Sequence, residues 1–239
     1  MLDTPTLERL IPRSRPGTFH RRAWLGLTGL AGLGLLLDGC APRVLTPRRE
    51  DMDLLGIHEG PLPIVQWLVD HPDPDSVLRQ VAGDAARLRR WYLAGLDDAM
   101  RKTLKESGGV GLAAPQVGVS SRVILVQRQD GSEDVLTCVD PRIIGRSDDT
   151  VEGWEACLSI EGVGGKVARA REIRVGYRDL QGGAHALVSR DFEARIFQHE
   201  FDHLDGILYV DKLLGPLLPI EEMRRRREEE KAAATRQGD

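Results

Sequence analysis

Gln198-His199-Glu200-Phe201-Asp202-His203 lies inside a run, Ser189 to Asp205, whose apolar Ile196, Phe197 and Leu204 mark an amphipathic helix. Gly206 follows, where a left-handed cap would stop it. Residues four apart leave one helix face a turn above each other, so His199 and His203 can hold a single metal ion between them. Glu200 stands one position round from His199 and reaches a water at an open coordination position. The bland alternative is two histidines making ordinary hydrogen bonds. A glutamate at the second position of such a helix favours the metal. Two ligands and a base leave the reaction class open, because the third ligand decides it.

Three sources of that ligand are present. An H-E-x-x-H-x-x-G-x-x-H protease of the metzincin type would carry a third histidine where this chain has Tyr209, a poor neutral ligand. A thermolysin-like protease would need a downstream glutamate, and the charged tail offers Glu221, Glu222 and Glu228 to Glu230. Upstream, Glu155-Ala156-Cys157-Leu158-Ser159 offers Cys157. A thiolate with two imidazoles makes a soft tripod suited to Fe(II), Zn(II), Ni(II) or Co(II), with one vertex left for water. Taken alone, a free cysteine is more often a buried apolar thiol.

A third segment, Gly109-Val110-Gly111-Leu112-Ala113-Ala114-Pro115-Gln116, has glycines that let backbone approach a ligand, small alanines, and a glutamine amide able to donate to an oxygen. Alone it could be a tightly packed turn. Followed by E-A-C-L-S and then Q-H-E-F-D-H-L-D-G, it resembles the three-motif signature of the peptide deformylases. The resemblance covers roughly residues 60 to 215. It implies an α+β fold, with antiparallel sheets around a central helix carrying the HEFDH metal motif. It implies Cys157, His199 and His203 as metal ligands, Fe(II) as the usual ion, and Glu200 as general acid and base. The Gln116 side chain and the Leu158 N–H would hold the oxyanion, and Gly111 would meet the substrate main chain. The implied activity is metal-dependent hydrolysis of the N-formyl group from formyl-methionyl peptides or proteins. Phe197 and Ile160 are the neighbouring apolar candidates for a methionine slot. The chain departs from the family in carrying Ala156 where glycine is usual, and in lacking a proline within Glu161 to Lys166. At a positive φ, alanine would cost about 1 kcal/mol; at a negative φ it is harmless.

The remaining chain sets the context. Its 239 residues are 41% hydrophobic and 29% charged, which excludes a disordered tail, a collagen and a polybasic nucleic-acid binder. Residues 1–39 read as an export signal. Arg21-Arg22 precedes the uncharged Trp24 to Leu37, which is too short to span about 30 Å of hydrocarbon, and Leu37-Asp38-Gly39-Cys40 resembles a lipoprotein box. Membrane attachment through a lipidated Cys40 follows. The alternative is a start at Met52 and a cytoplasmic enzyme. The first 39 positions hold five arginines and three acidic residues of the chain's 33 basic and 37 acidic, leaving 28 and 34. A mildly acidic body gives no general attraction to nucleic acid.

Residues 40–63 read as a linker, 64–215 as the catalytic domain, and 216–239 as a solvated, charged helical tail whose arginines pair with glutamates. Asp75 to Lys105 carries apolar residues at three- and four-residue steps, which predicts an amphipathic helix or helix pair ending near Gly108 and Gly109. Arg122–Gln127, Val135–Val139, Ile173–Tyr177 and Ala186–Val188 read as strands. Beside the deformylase reading stand a membrane-anchored metalloprotease using the same helix and a catalytically silent, metal-stabilised lipoprotein that binds peptide termini.

Overall fold

The structure, a computed structural model, describes residues 60–132 and 134–237. The export signal, Cys40, Met52 and most of the linker therefore lie outside the described residues. Helices are few and the sheets antiparallel, an α+β architecture. Helix α1 spans Arg90–Ser107, α2 Asp191–Leu204 and α3 Ile220–Gln237. One sheet contains β1 (Gly111–Ala113), β2 (Val123–Gln127), β3 (Val135–Arg146), β6 (Glu172–Arg178) and β7 (Ala184–Arg190), in the order β1-β2-β3-β6-β7. The other contains β4 (Thr150–Cys157), β5 (Ile160–Ala170) and β8 (Leu218–Pro219).

The five-stranded sheet is covered on both faces at β2. Val123 and Leu125 of β2 pack with Leu93, Leu96, Met100 and Leu104 of α1. Their neighbours Ile124 and Val126 point the other way, onto Ala194, Phe197, Phe201 and Leu204 of α2. That double coverage is why the segment reads as continuous Val-Ile-Leu-Val rather than as an alternation. On α2, residues 194, 197, 201 and 204 form the stripe that faces the sheet. Phe197 is fully buried there, and truncating it to alanine would cost about 3–5 kcal/mol. The opposite face of α2 carries Phe192, Ile196, His199 and Glu200. The helix ends as its glycine suggests: Gly206 has φ 71°, and a Cβ there would lie 2.7 Å from the Arg79 carbonyl oxygen.

Several expectations are corrected. Only the second half of Asp75 to Lys105 is a helix; the first half makes two 3-10 turns, Val77–Arg79 and Ala85–Arg87, with Gly83 between them. Val81, one of the apolar residues of that run, is exposed, because its backbone belongs to no helix. Strand β3 runs to Arg146 rather than Val139, and β4, β5 and β8 were not anticipated. Leu62, placed in the linker, is buried against α1, with its N–H donating to Thr103 Oγ1 at 2.7 Å. The tail is a helix with the expected arginine–glutamate pairs, yet one side is not solvated: Met223 is buried against β5.

Candidate active site

Strand β4 delivers Cys157 and, two residues earlier on the same strand face, Glu155. Helix α2 delivers His199, Glu200 and His203, while β1 and the 3-10 turn Ala114–Val117 deliver Gly111 and Gln116. One ligand atom from each of Cys157, His199 and His203 falls within 4.8 Å of the others. Cys157 Sγ is 3.3 Å from His203 Nε2. The two rings meet edge to face, with centroids 5.1 Å apart.

The electrostatics suit a cation bound by a thiolate. Burial pushes the Cys157 thiol up, but His203 and His199 outweigh it and hold the pKa well below the ordinary value. Ser159 N–H also points at Sγ, at 3.4 Å. His199 Nδ1 lies 2.9 Å from Glu155 Oε2, which leaves Nε2 as the ligating nitrogen. Glu155 is itself clamped. Its carboxylate takes two bonds from Arg169, at 2.9 and 2.8 Å, and one from Arg195 Nη1 at 2.7 Å. Burial raises its pKa, yet the bonds from Arg169 and His199 dominate and keep it ionised far below the carboxylate range. Arg169 continues the chain to Asp202, which also holds Lys212.

Two buried atoms in this centre have no hydrogen-bond partner among the described residues, Glu200 Oε2 and His203 Nδ1. An unsatisfied buried carboxylate oxygen is costly unless something occupies the space before it, so the donor set and this orphaned oxygen fit a metal ion with a bound water. Burial lifts the Glu200 pKa to about 7, against the opposing pull of both histidines. Gln116 is oriented by its own turn: Oε1 accepts from the Ala113 N–H at 2.8 Å, which turns Nε2 toward the centre, 3.5 Å from Cys157 Sγ. Gly111 is required by space, since a Cβ there would lie 2.3 Å from Glu200 Oε1.

The other ligand candidates fall away. Tyr209 stacks on His199 but sends its hydroxyl to the Val163 carbonyl, Glu221, Glu222, Glu229 and Glu230 pair with cations or with Trp154, and Glu228 is exposed and joins no ligand cluster among the described residues. Ala156 is not strained: among described non-glycine residues only Asp140 and Asp191 have positive φ.

A cavity of about 290 Å³ opens beside the ligands, lined by Gly111, Trp154, Phe192, Ile196, Met223 and Arg227 among others. Of the two slot candidates, Phe197 faces the core instead, and Ile160 lines a neighbouring depression of about 770 Å³ that also reaches Cys157. Ile196 and Phe192, which line the cavity of about 290 Å³, precede His199 by three and seven residues, on the same side of the helix.

Residues 65–216 match the model of the family described as polypeptide deformylase. The chain belongs to the polypeptide deformylase family. It is 38% identical over 168 residues to peptide deformylase 2 of Nostoc sp., covering 67% of this chain and 90% of that one. It is 43% identical over 150 residues to the peptide deformylase of Symbiobacterium thermophilum, covering 63% and 68%. A class I type b peptide deformylase from Acinetobacter baumannii, solved with Met-Ala-Ser bound, superposes with a TM-score of 0.58 at 36% identity, over 65% of this chain and 99% of that one. Helix α3, expected from its charge to be solvated throughout, supplies Met223 and Arg227 to the cavity wall.

Proposed function

We propose that Cys157, His199 and His203 hold one divalent ion, that Glu200 moves the proton, and that Gln116 with the Leu158 N–H holds the developing oxyanion. The chain is a deformylase, a metal-dependent hydrolase that removes the N-formyl group from nascent peptides. The observation that carries the residue roles is the unpartnered Glu200 Oε2 beside three convergent ligand atoms.

A divalent ion in this tripod supplies a Lewis-acid centre that polarises a carbonyl and makes water more acidic. Glu200 takes a proton from the attacking water and returns it to the amine nitrogen as the formyl C–N bond breaks, so formate and a free amino terminus leave. Burial of Glu200, which favours its neutral form, assists the uptake of that proton before it is passed on. Negative charge grows meanwhile on the former carbonyl oxygen, within reach of Gln116 Nε2. Losing one such donor typically costs about 3 kcal/mol, or 10²- to 10³-fold in rate. Gly111, held close to Glu200, lets the substrate main chain approach the base. The resident ion we propose is Fe(II), with Zn(II), Ni(II) and Co(II) accommodated by the same thiolate-imidazole set.

Formate release from formyl-Met-Ala-Ser by the protein purified without oxygen and loaded with Fe(II) tests this reading. Turnover of the formyl peptide and none of its acetyl counterpart is expected; a metal-loaded protein that releases no formate overturns it. The address is a separate proposal: export with lipid on Cys40, argued from Arg21-Arg22 and the residues before Cys40. It predicts labelled-palmitate incorporation that disappears in Cys40→Ala, and incorporation persisting in that variant contradicts it.

A further inference from the structure

Arg224 to Arg227 place four guanidinium groups in succession on α3. Three are paired along the helix: Arg224 with Glu221, Arg225 with Glu222 and Glu229, and Arg226 with Glu222. Arg227 makes no ion pair with a described residue. Its guanidinium carbon lies 6.0 Å over the Phe192 ring, at the wall of the cavity beside the metal ligands. The carboxylate one turn on, Glu230, is already taken by Trp154 Nε1 at 3.0 Å and Lys166 Nζ at 2.8 Å.

Those contacts also fix α3 in place. Met223 packs into space left by Gly164, where a Cβ would lie 2.3 Å from its sulfur. Of the cavity's other charges, Arg195 is buried and held by Glu155 and by the carbonyls of Gly153, Val167 and Val151, Glu155 is shared between Arg169 and Arg195, and Glu200 is buried. Arg227 is exposed and supplies the uncompensated charge at the rim.

We propose that Arg227 is a specificity-determining residue that favours formyl peptides carrying an acidic side chain at one or both of the two residues after the formylated one. The proposal rests on the deformylase reading, in which the first side chain enters the cavity and the following residues leave across its rim. A guanidinium held by an aromatic ring and a docked helix loses less freedom on pairing than one on a bare surface. Solvent at the rim limits the gain, so a discrimination of about fivefold is expected.

The test compares kcat/KM for formyl-Met-Glu-Glu, formyl-Met-Gln-Gln and formyl-Met-Lys-Lys with the metal-loaded full chain, Arg227→Gln and Arg224→Gln. Arg224→Gln removes the same charge from the same helix, away from the cavity. The expected result is an acidic-over-neutral preference of about fivefold, carried by KM, that collapses toward one in Arg227→Gln and survives in Arg224→Gln. No charge preference in the parent protein, or an equal loss in both variants, overturns the proposal. Absence of turnover with the neutral peptide marks failure of the deformylase reading instead; calorimetric titration of the three peptides then reads the same preference as binding, with the same two outcomes.

Discussion

Glu155 Oε2 lies 2.9 Å from His199 Nδ1, and the same carboxylate is bonded by Arg169 and Arg195. His199, which we propose as a metal ligand, is thus fixed in tautomer and direction by a charge that is itself immobilised from strands β4 and β5 and helix α2. Outer partners of this kind typically affect metal affinity by about 10- to 100-fold. Glu155→Gln is expected to weaken metal retention by that factor, measured by competition with a chelator. Glu155→Leu should also lose about 3–5 kcal/mol of stability, because the buried Arg195 is left with no carboxylate and Arg169 with Asp202 alone. Unchanged retention in both variants would mean that the orientation of His199 is set elsewhere.

Gly111 and Glu200 give a second prediction. A Cβ at residue 111 would stand 2.3 Å from Glu200 Oε1 and 2.8 Å from Ile196 Cγ2, so Gly111→Ala must displace the base. Displacements near 1 Å cost about 10²-fold in rate. Turnover should fall by that order while metal content by elemental analysis stays at the parent level. A variant with full activity would show that Glu200 is not held where the structure places it.

The two described cysteines should differ in chemistry. Cys138 is wholly buried between β2, β3 and α2, and burial drives its thiol pKa far up. Cys157 borders the cavity. Iodoacetamide on metal-stripped protein is expected to label Cys157 and leave Cys138 unmodified, with added Zn(II) protecting Cys157. Peptide mapping by mass spectrometry reads the result, and labelling of Cys157 that metal does not slow contradicts its place in the tripod.

Asp211 pairs with Arg79 and accepts the Leu208 N–H at 2.9 Å, which ties the first 3-10 turn to the segment after α2. Burial is the largest single influence and raises its pKa, but the bonds from Arg79 and the Leu208 N–H together with the charges of Arg79 and Lys212 lower it overall. A depressed folded-state pKa means that the stabilisation is present above the unfolded value near 3.9 and is lost as pH falls through the folded value. Asp211→Asn should therefore lower Tm at pH 7, and the difference should shrink as pH falls below the ordinary carboxylate value and through the depressed folded-state one. The pair is partly solvated, so the effect at neutral pH should stay below about 1 kcal/mol. A Tm deficit that persists unchanged into acid would assign it to packing instead.

The metal helix was legible because its signals are local. The four-residue histidine spacing, the apolar stripe and Gly206 all act within one element, and the structure places it at Asp191–Leu204. Strand β2 was legible for the same reason. Strands β4 and β5 were hidden by Gly153, Gly162, Gly164 and Gly165, which weaken any strand signal in sequence. Three of these glycines serve distant partners: Cβ atoms at 153, 164 and 165 would strike Arg195, Met223 and Leu213. The same distance hid the roles of Glu155 and Arg195, whose meaning exists only once β4 meets α2. Helix α3 read as solvated because its charges dominate the composition, while Met223, a single residue, docks it against the cavity.

The central claim is that Glu200 moves the proton without holding the metal. Its most direct test is formate release from formyl-Met-Ala-Ser by Fe(II)-loaded parent protein and Glu200→Gln, with metal content measured on the same samples. Full metal occupancy in both and turnover lost in the variant are expected. Turnover retained by Glu200→Gln, or metal lost with it, would contradict the account.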